Sequence, residues 1–95
     1  GVLKKLDLKS GKVETLVDGG PSAETRDPEV SFDGKKILFS MRKNIDDGWH
    51  VYEVNADGSG LRQLTRAAGV CDIDPMYLPD GGIIFTSTRE PNFIR

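Results

Sequence analysis

One phrase occurs twice in this chain, and its recurrence constrains the fold more than any other feature. Asp27-Pro28-Glu29-Val30-Ser31-Phe32-Asp33-Gly34 returns as Asp74-Pro75-Met76-Tyr77-Leu78-Pro79-Asp80-Gly81. Each copy leads through a short turn into an apolar run, Ile37-Leu38-Phe39-Ser40 and then Ile83-Ile84-Phe85-Thr86. A second phrase repeats alongside it, with Leu6 to Leu16 aligning on Val54 to Leu64. The offset is 47 between Asp27 and Asp74, 48 between Leu16 and Leu64, and 46 between Phe39 and Phe85. A unit of that length cannot cover its own apolar faces, so neighbouring units must cover them, which is the logic of stacked repeats.

Eight short segments read as strands: Val2 to Leu8, Lys12 to Val17, Glu29 to Phe32, Lys36 to Met41, Trp49 to Asn55, Leu61 to Thr65, Met76 to Leu78 and Gly82 to Ser87. Asp-Gly and Ser-Gly turns between apolar, β-branched and aromatic runs are strong hairpin signals. No window carries helical periodicity with caps, so the chain is expected to be all-β and antiparallel. Successive turns of an antiparallel meander alternate between its two ends. The tight turns around Gly11, Gly34, Gly58 and Gly81 then share one end. The longer connections, 18–27, 42–48 and 66–74, share the other. Binding residues concentrate on long loops held by a rigid scaffold, so the second end is the expected working face.

The Asp-Pro pairs fit the start of a strand, where proline removes an amide that has no partner to meet. Asp27 and Asp74 are expected to accept hydrogen bonds from nearby backbone amides and anchor the preceding loops. Asp33, Gly34, Asp57, Gly58, Asp80 and Gly81 are read as turn positions. Together with Asp27, Pro28, Asp74 and Pro75 they form the structural skeleton of the repeat.

These residues resemble the β-propeller repeat of TolB, the tricorn protease and related periplasmic proteins. That repeat runs from Asp-Pro through Ser-Pro-Asp-Gly-Lys and an apolar strand to Asn-Ala-Asp-Gly-Ser and a Leu-Thr strand. Asp27 to Phe39, Val51 to Thr65 and Asp74 to Phe85 match it, whereas Leu3 to Leu16 keeps only the pattern. Phe32, Leu78-Pro79 and Gly82 depart from it. A narrower similarity links Phe39-Ser40-Met41-Arg42, Trp49 to Asn55, Tyr77 to Gly81 and Thr86-Ser87-Thr88-Arg89 to propeller proteins related to the hydrazine synthase alpha subunit.

The resemblance implies antiparallel four-stranded blades. Residues 1–17 would be the outer strands of one blade, 27–65 a blade whose four strands run from about 29 to 65, and 74–88 the inner strands of a third. It also implies an exported, periplasmic location and a parent chain supplying the remaining blades. Propellers close with about four to eight blades. An unclosed piece exposes sheet edges and blade faces. The segment alone is therefore expected not to persist as a stable monomer.

The net charge of −2 and the scattered basic residues argue against nucleic acid as a partner. No apolar run reaches the length that crosses a membrane as a helix. Cys71 is alone, which excludes an internal disulfide and a thiolate metal cage.

Asn55 to Gly60 mimics part of an EF-hand loop, but Arg66 stands where a bidentate Glu belongs, so a hairpin turn is expected. His50, the single histidine, shares a strand face with Tyr52 and Val54 and reads as packed rather than as a general base. Asp46 with Asp47, and Cys71 with Asp72 and Asp74, form small acidic clusters on the long-loop side. No Gly-x-Ser-x-Gly elbow and no Cys-x-x-Cys-His motif is present, so no catalytic, cofactor or metal set is assigned.

Arg42, Trp49, His50, Asp72 and Arg89 are the candidates for partner contact, since Arg and Trp dominate interface hot spots. The competing expectation is that both arginines close strand ends and Trp49 packs between blades. The function expected is non-catalytic binding of a protein or peptide. The alternative is the propeller domain of a larger enzyme, a serine peptidase or multihaem protein, with its chemistry elsewhere.

Overall fold

Turn chemistry and apolar runs together produce eight strands, and no helix, among the residues described in the computed structural model, which are 1–88. They are β1 (Val2–Leu6), β2 (Val13–Asp18), β3 (Glu24–Val30), β4 (Lys36–Arg42), β5 (His50–Asn55), β6 (Arg62–Gln63), β7 (Asp72–Tyr77) and β8 (Ile83–Ser87). Every pairing is antiparallel and sequential. A four-stranded meander of β3 to β6 lies between two hairpins, β1–β2 and β7–β8.

The sequence repeat is also a repeat of register. Lys4 opposes Thr15 and Lys5 opposes Glu14 in the first hairpin. The residues 48 positions on, Tyr52 with Gln63 and Glu53 with Arg62, oppose one another in β5–β6. Likewise Glu29↔Leu38 and Val30↔Ile37 in β3–β4 recur as Met76↔Ile84 and Tyr77↔Ile83 in β7–β8. The end hairpins are thus copies of the two halves of the middle sheet. In that sheet the halves are joined by β4–β5, where Phe39 opposes Tyr52 and Leu38 opposes Glu53.

The tight turns share one device. Asp33 accepts a hydrogen bond from the Lys35 amide (2.9 Å), Asp57 from Ser59 (2.9 Å) and Asp80 from Gly82 (2.9 Å). Each is an aspartate bonding the backbone two residues on, a favoured turn chemistry. Gly34 at φ 74° supplies the left-handed residue that turns the β3–β4 chain, a conformation costly for any side chain with a Cβ. Asn55 to Gly60 is likewise a turn, in which Asp57 also accepts from the Ser59 hydroxyl (2.6 Å).

The Asp-Pro pairs do not begin their strands. β3 starts at Glu24 and β7 at Asp72, so both pairs lie inside a strand. Pairing passes from Arg26↔Ser40 to Glu29↔Leu38, and from Ile73↔Thr86 to Met76↔Ile84. Three steps on one strand against two on the other make a bulge, which leaves an extra residue unpaired. Proline suits that place because it has no amide to offer. Asp27 and Asp74 take the left-handed conformation, φ 58° and 55°, which aspartate tolerates better than most residues. The Asp27 carboxylate accepts the Arg26 Nε–H (2.8 Å) and the amide of Asp74 (3.3 Å). One repeat therefore bonds the equivalent point of the next.

The three sheets stack face to face. Ile37, Phe39, Met41, Tyr52 and Val54 form one face of the middle sheet and share a core with Leu3, Leu16, Val17 and Ala23 from the first hairpin and the connection after it. Phe39 and Tyr52 stack with ring centroids 5.8 Å apart. The opposite face meets β7: the Ser40 hydroxyl donates to the Asp72 carbonyl (3.2 Å), and the Tyr77 hydroxyl donates to Glu53 Oε2 (2.8 Å). β4 and β5 are consequently buried on both faces along most of their length. The end hairpins are far less covered: β1 buries Leu3 alone, and β8 has no fully buried residue.

Candidate functional site

The connections at 43–49 and 64–71 lie at one end of the stack and form a cleft of about 590 Å³ with the ends of β4 and β5. Lys43, Asp46, Asp47, His50, Tyr52 and Cys71 line it. The first loop is shaped by Asn44, whose side chain accepts the Asp46 amide (3.0 Å) while its carbonyl accepts the Asp47 amide (3.1 Å). That turn sets both carboxylates on the exposed rim. Gly48 permits close approach of the second loop: a Cβ there would overlap the carbonyl oxygen of Val70. The Asp72 amide then donates to the Trp49 carbonyl (2.8 Å), fixing the start of β7 beside the start of β5.

His50 stands where the two loops meet. Its side chain is 16% exposed, and its Nδ1 is buried without a hydrogen-bond partner. Asp72, fully buried, places Oδ2 at 3.9 Å from that nitrogen, beyond hydrogen-bond distance. Cys71 immediately precedes β7, and its amide donates to the Thr88 hydroxyl (2.8 Å).

Trp49 and Arg42 lie together beside this cleft. The guanidinium carbon of Arg42 is 5.0 Å from the Trp49 ring centroid and that of Arg26 is 5.4 Å away, both within cation–π range. Each arginine also has a carboxylate: Arg42 bonds Glu24 (2.9 Å) and Arg26 bonds Asp27 (2.8 Å). Four of the five partner-contact candidates, Arg42, Trp49, His50 and Asp72, therefore gather at the long-loop end. Arg89 lies outside the described residues. Asp74, read from sequence as clustered with Cys71 and Asp72, instead bonds Asp27 through its amide at the bulge.

Sequence reading missed Lys43, Tyr52 and Gln63 as cleft residues, because loop closure between 48 and 70 leaves no periodic signal. It also missed Glu53. That residue is a charge inside the apolar run Val51 to Val54, and the charge was the available clue. Its side chain is 8% exposed and receives Arg62 and the Tyr77 hydroxyl, with Lys36 at 3.8 Å. Burial alone pushes the Glu53 carboxyl up, but hydrogen bonds from Arg62 and Tyr77 outweigh it and hold the acid below its usual range. Burial, and then the bond to Glu53, push the Tyr77 phenol well above its usual range.

No protein-family model matches the chain. Over 77 residues it is 39% identical to hydrazine synthase subunit alpha of Kuenenia stuttgartiensis, a stretch that covers 81% of this chain. The chain spans 9% of the length of that relative.

Proposed function

We propose that this chain is a section of a TolB-like β-propeller whose long-loop end binds a protein or peptide, within a larger exported bacterial protein. In this reading residues 1–17 are the outer strands of one blade, 27–65 a complete blade and 74–88 the inner strands of the next. The observation that carries the reading is the repeated register: Lys4↔Thr15 recurs as Tyr52↔Gln63 and Glu29↔Leu38 as Met76↔Ile84, in sheets stacked face to face. Radial repetition of such sheets is what a propeller consists of. The cleft at the long-loop end supplies a concave surface with an aromatic ring, carboxylates and a lysine, which suits a mixed polar and apolar segment of a partner.

The partial likeness to a synthase subunit supports a second reading. The segment then belongs to the propeller region of a larger enzyme, a multihaem protein or a serine peptidase, whose catalytic residues lie outside these 95 residues. A Cys-x-x-Cys-His or Gly-x-Ser-x-Gly motif elsewhere in the longer sequence selects this reading.

Peptide-library selection on a longer protein carrying the segment tests the binding role. The unaltered protein is expected to enrich a definable peptide motif. Gly48→Ala, which forces the two loops apart, should weaken binding of the enriched peptide by at least about tenfold, the loss of one good contact. Lys9→Glu, at the opposite end, should leave it unchanged. Binding that survives Gly48→Ala but fails with Lys9→Glu contradicts the assignment of the long-loop end.

A further inference from the structure

The cleft at the long-loop end holds a polar group that the fold leaves unmet. Tyr52 is 5% exposed, and its ring stacks on Phe39 within the core. The residue nevertheless lines the cleft, and among the described residues its hydroxyl has no hydrogen-bond partner. Tyr77, the other tyrosine, gives its hydroxyl to Glu53 (2.8 Å). A hydroxyl carried this far into a core costs free energy unless a partner meets it, and it can accept one hydrogen bond while donating another.

The charges around that hydroxyl are unequal. Burial pushes the Tyr52 phenol up, while Arg66 draws it down and Asp47 adds to the rise, so both charges act on the oxygen. Arg66 is already bonded to the Gln63 carbonyl (2.7 Å). Asp46 and Asp47 line the cleft from the Asn44 turn, which bonds their amides. Their carboxylates enter no ion pair among the described residues. Against these two the lining sets one lysine, Lys43. Behind His50 lies a further carboxylate, that of Asp72. Met41 and Ala68 add apolar wall.

We infer that this cleft takes a basic side chain of the partner, lysine or arginine, with its charged head between the Tyr52 hydroxyl and the Asp46 and Asp47 carboxylates. The methylene stem lies along Met41 and Ala68. This rests on the long-loop end being the binding end, and it names what that end reads. Long basic side chains meet both demands, since the stem buries on apolar surface while the head keeps polar partners. Hydrogen bonds from a cation to a carboxylate are stronger than neutral ones. An acidic side chain in the same place faces two like charges.

Hexapeptide pools, random except at one central position fixed as Lys, Arg, Nε-acetyl-lysine or Glu, are titrated into a longer protein that carries the segment. The Lys and Arg pools should bind at least about tenfold more tightly than the other two. Tyr52→Phe keeps the ring on Phe39 and alters no charge, and it should reduce that preference at least about threefold. Asp47→Asn should reduce it about tenfold, and Lys43→Gln, which removes a like charge, should increase it. Glu14→Gln takes the same charge from the first hairpin and should leave it unchanged.

Pools that bind equally whatever the central residue overturn this inference and leave binding at the long-loop end standing. A preference that survives both Tyr52→Phe and Asp47→Asn, or that falls as much with Glu14→Gln, puts the recognition outside the cleft and overturns the site. If no pool binds, the binding reading falls and this one with it.

Discussion

Replacing Phe39 by alanine is expected to destabilise the fold by about 3–5 kcal/mol, the range for emptying a fully buried aromatic site. Phe39 is 0% exposed, at the centre of β4, stacked on Tyr52 and shared between the middle sheet and the first hairpin. Sheets on both faces hold β4 in place, so the cavity has little freedom to collapse. Domains hold only about 5–15 kcal/mol in total. Phe39→Ala should therefore consume most of the stability of a chain this size. Urea unfolding of a longer protein that carries the segment is the readout: the variant should show a sharply lowered midpoint or no folded baseline. Phe39→Leu, which keeps most of the volume, should cost about 1 kcal/mol. A Phe39→Ala loss below about 1 kcal/mol would mean that the two layers are not held together by this core.

Glu53→Ala is the second large effect, expected at about 2–3 kcal/mol, as for buried hydrogen bonds to a charged group. Glu53 is one of the links between the middle sheet and β7, through the 2.8 Å bond from the Tyr77 hydroxyl. Its loss also leaves Arg62 and Lys36 without their shared carboxylate.

The sign of the pH dependence follows from the shifts. The Glu53 acid is held below its ordinary 4.5 in the folded chain, so its contribution is complete above that value. It is lost as pH falls below it and protonation removes the charge. The Tyr77 phenol is raised above its ordinary 10.0, so its contribution is complete below that value and is lost at higher pH. The unaltered chain should weaken on both flanks. Glu53→Ala should be less stable at neutral pH and flatter toward acid. Urea midpoints across pH measure this, and an acid limb as steep in the variant as in the parent would contradict the role given to Glu53.

The sequence was most legible where local chemistry decides conformation. Asp33-Gly34, Asp57-Gly58 and Asp80-Gly81 form turns wherever they occur, because the aspartate bonds the backbone two residues on. The unbroken apolar run Ile37-Leu38-Phe39 marked a strand, and β4 forms there; its burial on both faces is seen only in the structure. Legibility failed where pairing is decided by a distant strand. Glu24-Thr25-Arg26 looks like loop, yet it forms strand because Ser40, Met41 and Arg42 lie opposite. The bulge at Asp27-Pro28 is set by that extension, so proline appeared to begin a strand that it interrupts. The cleft was legible as an end of the molecule but not as a set of residues. His50 and Asp72 meet only because the Gly48–Val70 approach brings β5 and β7 together.

The central claim is that successive 47-residue units stack as blades of one ring. Its most direct test is the experimental structure of a longer protein that carries this segment. The account predicts a strand hydrogen-bonded to the far edge of β1, another to that of β8, and four-stranded sheets arranged radially until the ring closes. β1–β2 and β7–β8 remaining two-stranded, or the sheets packing as a flat sandwich, would contradict it.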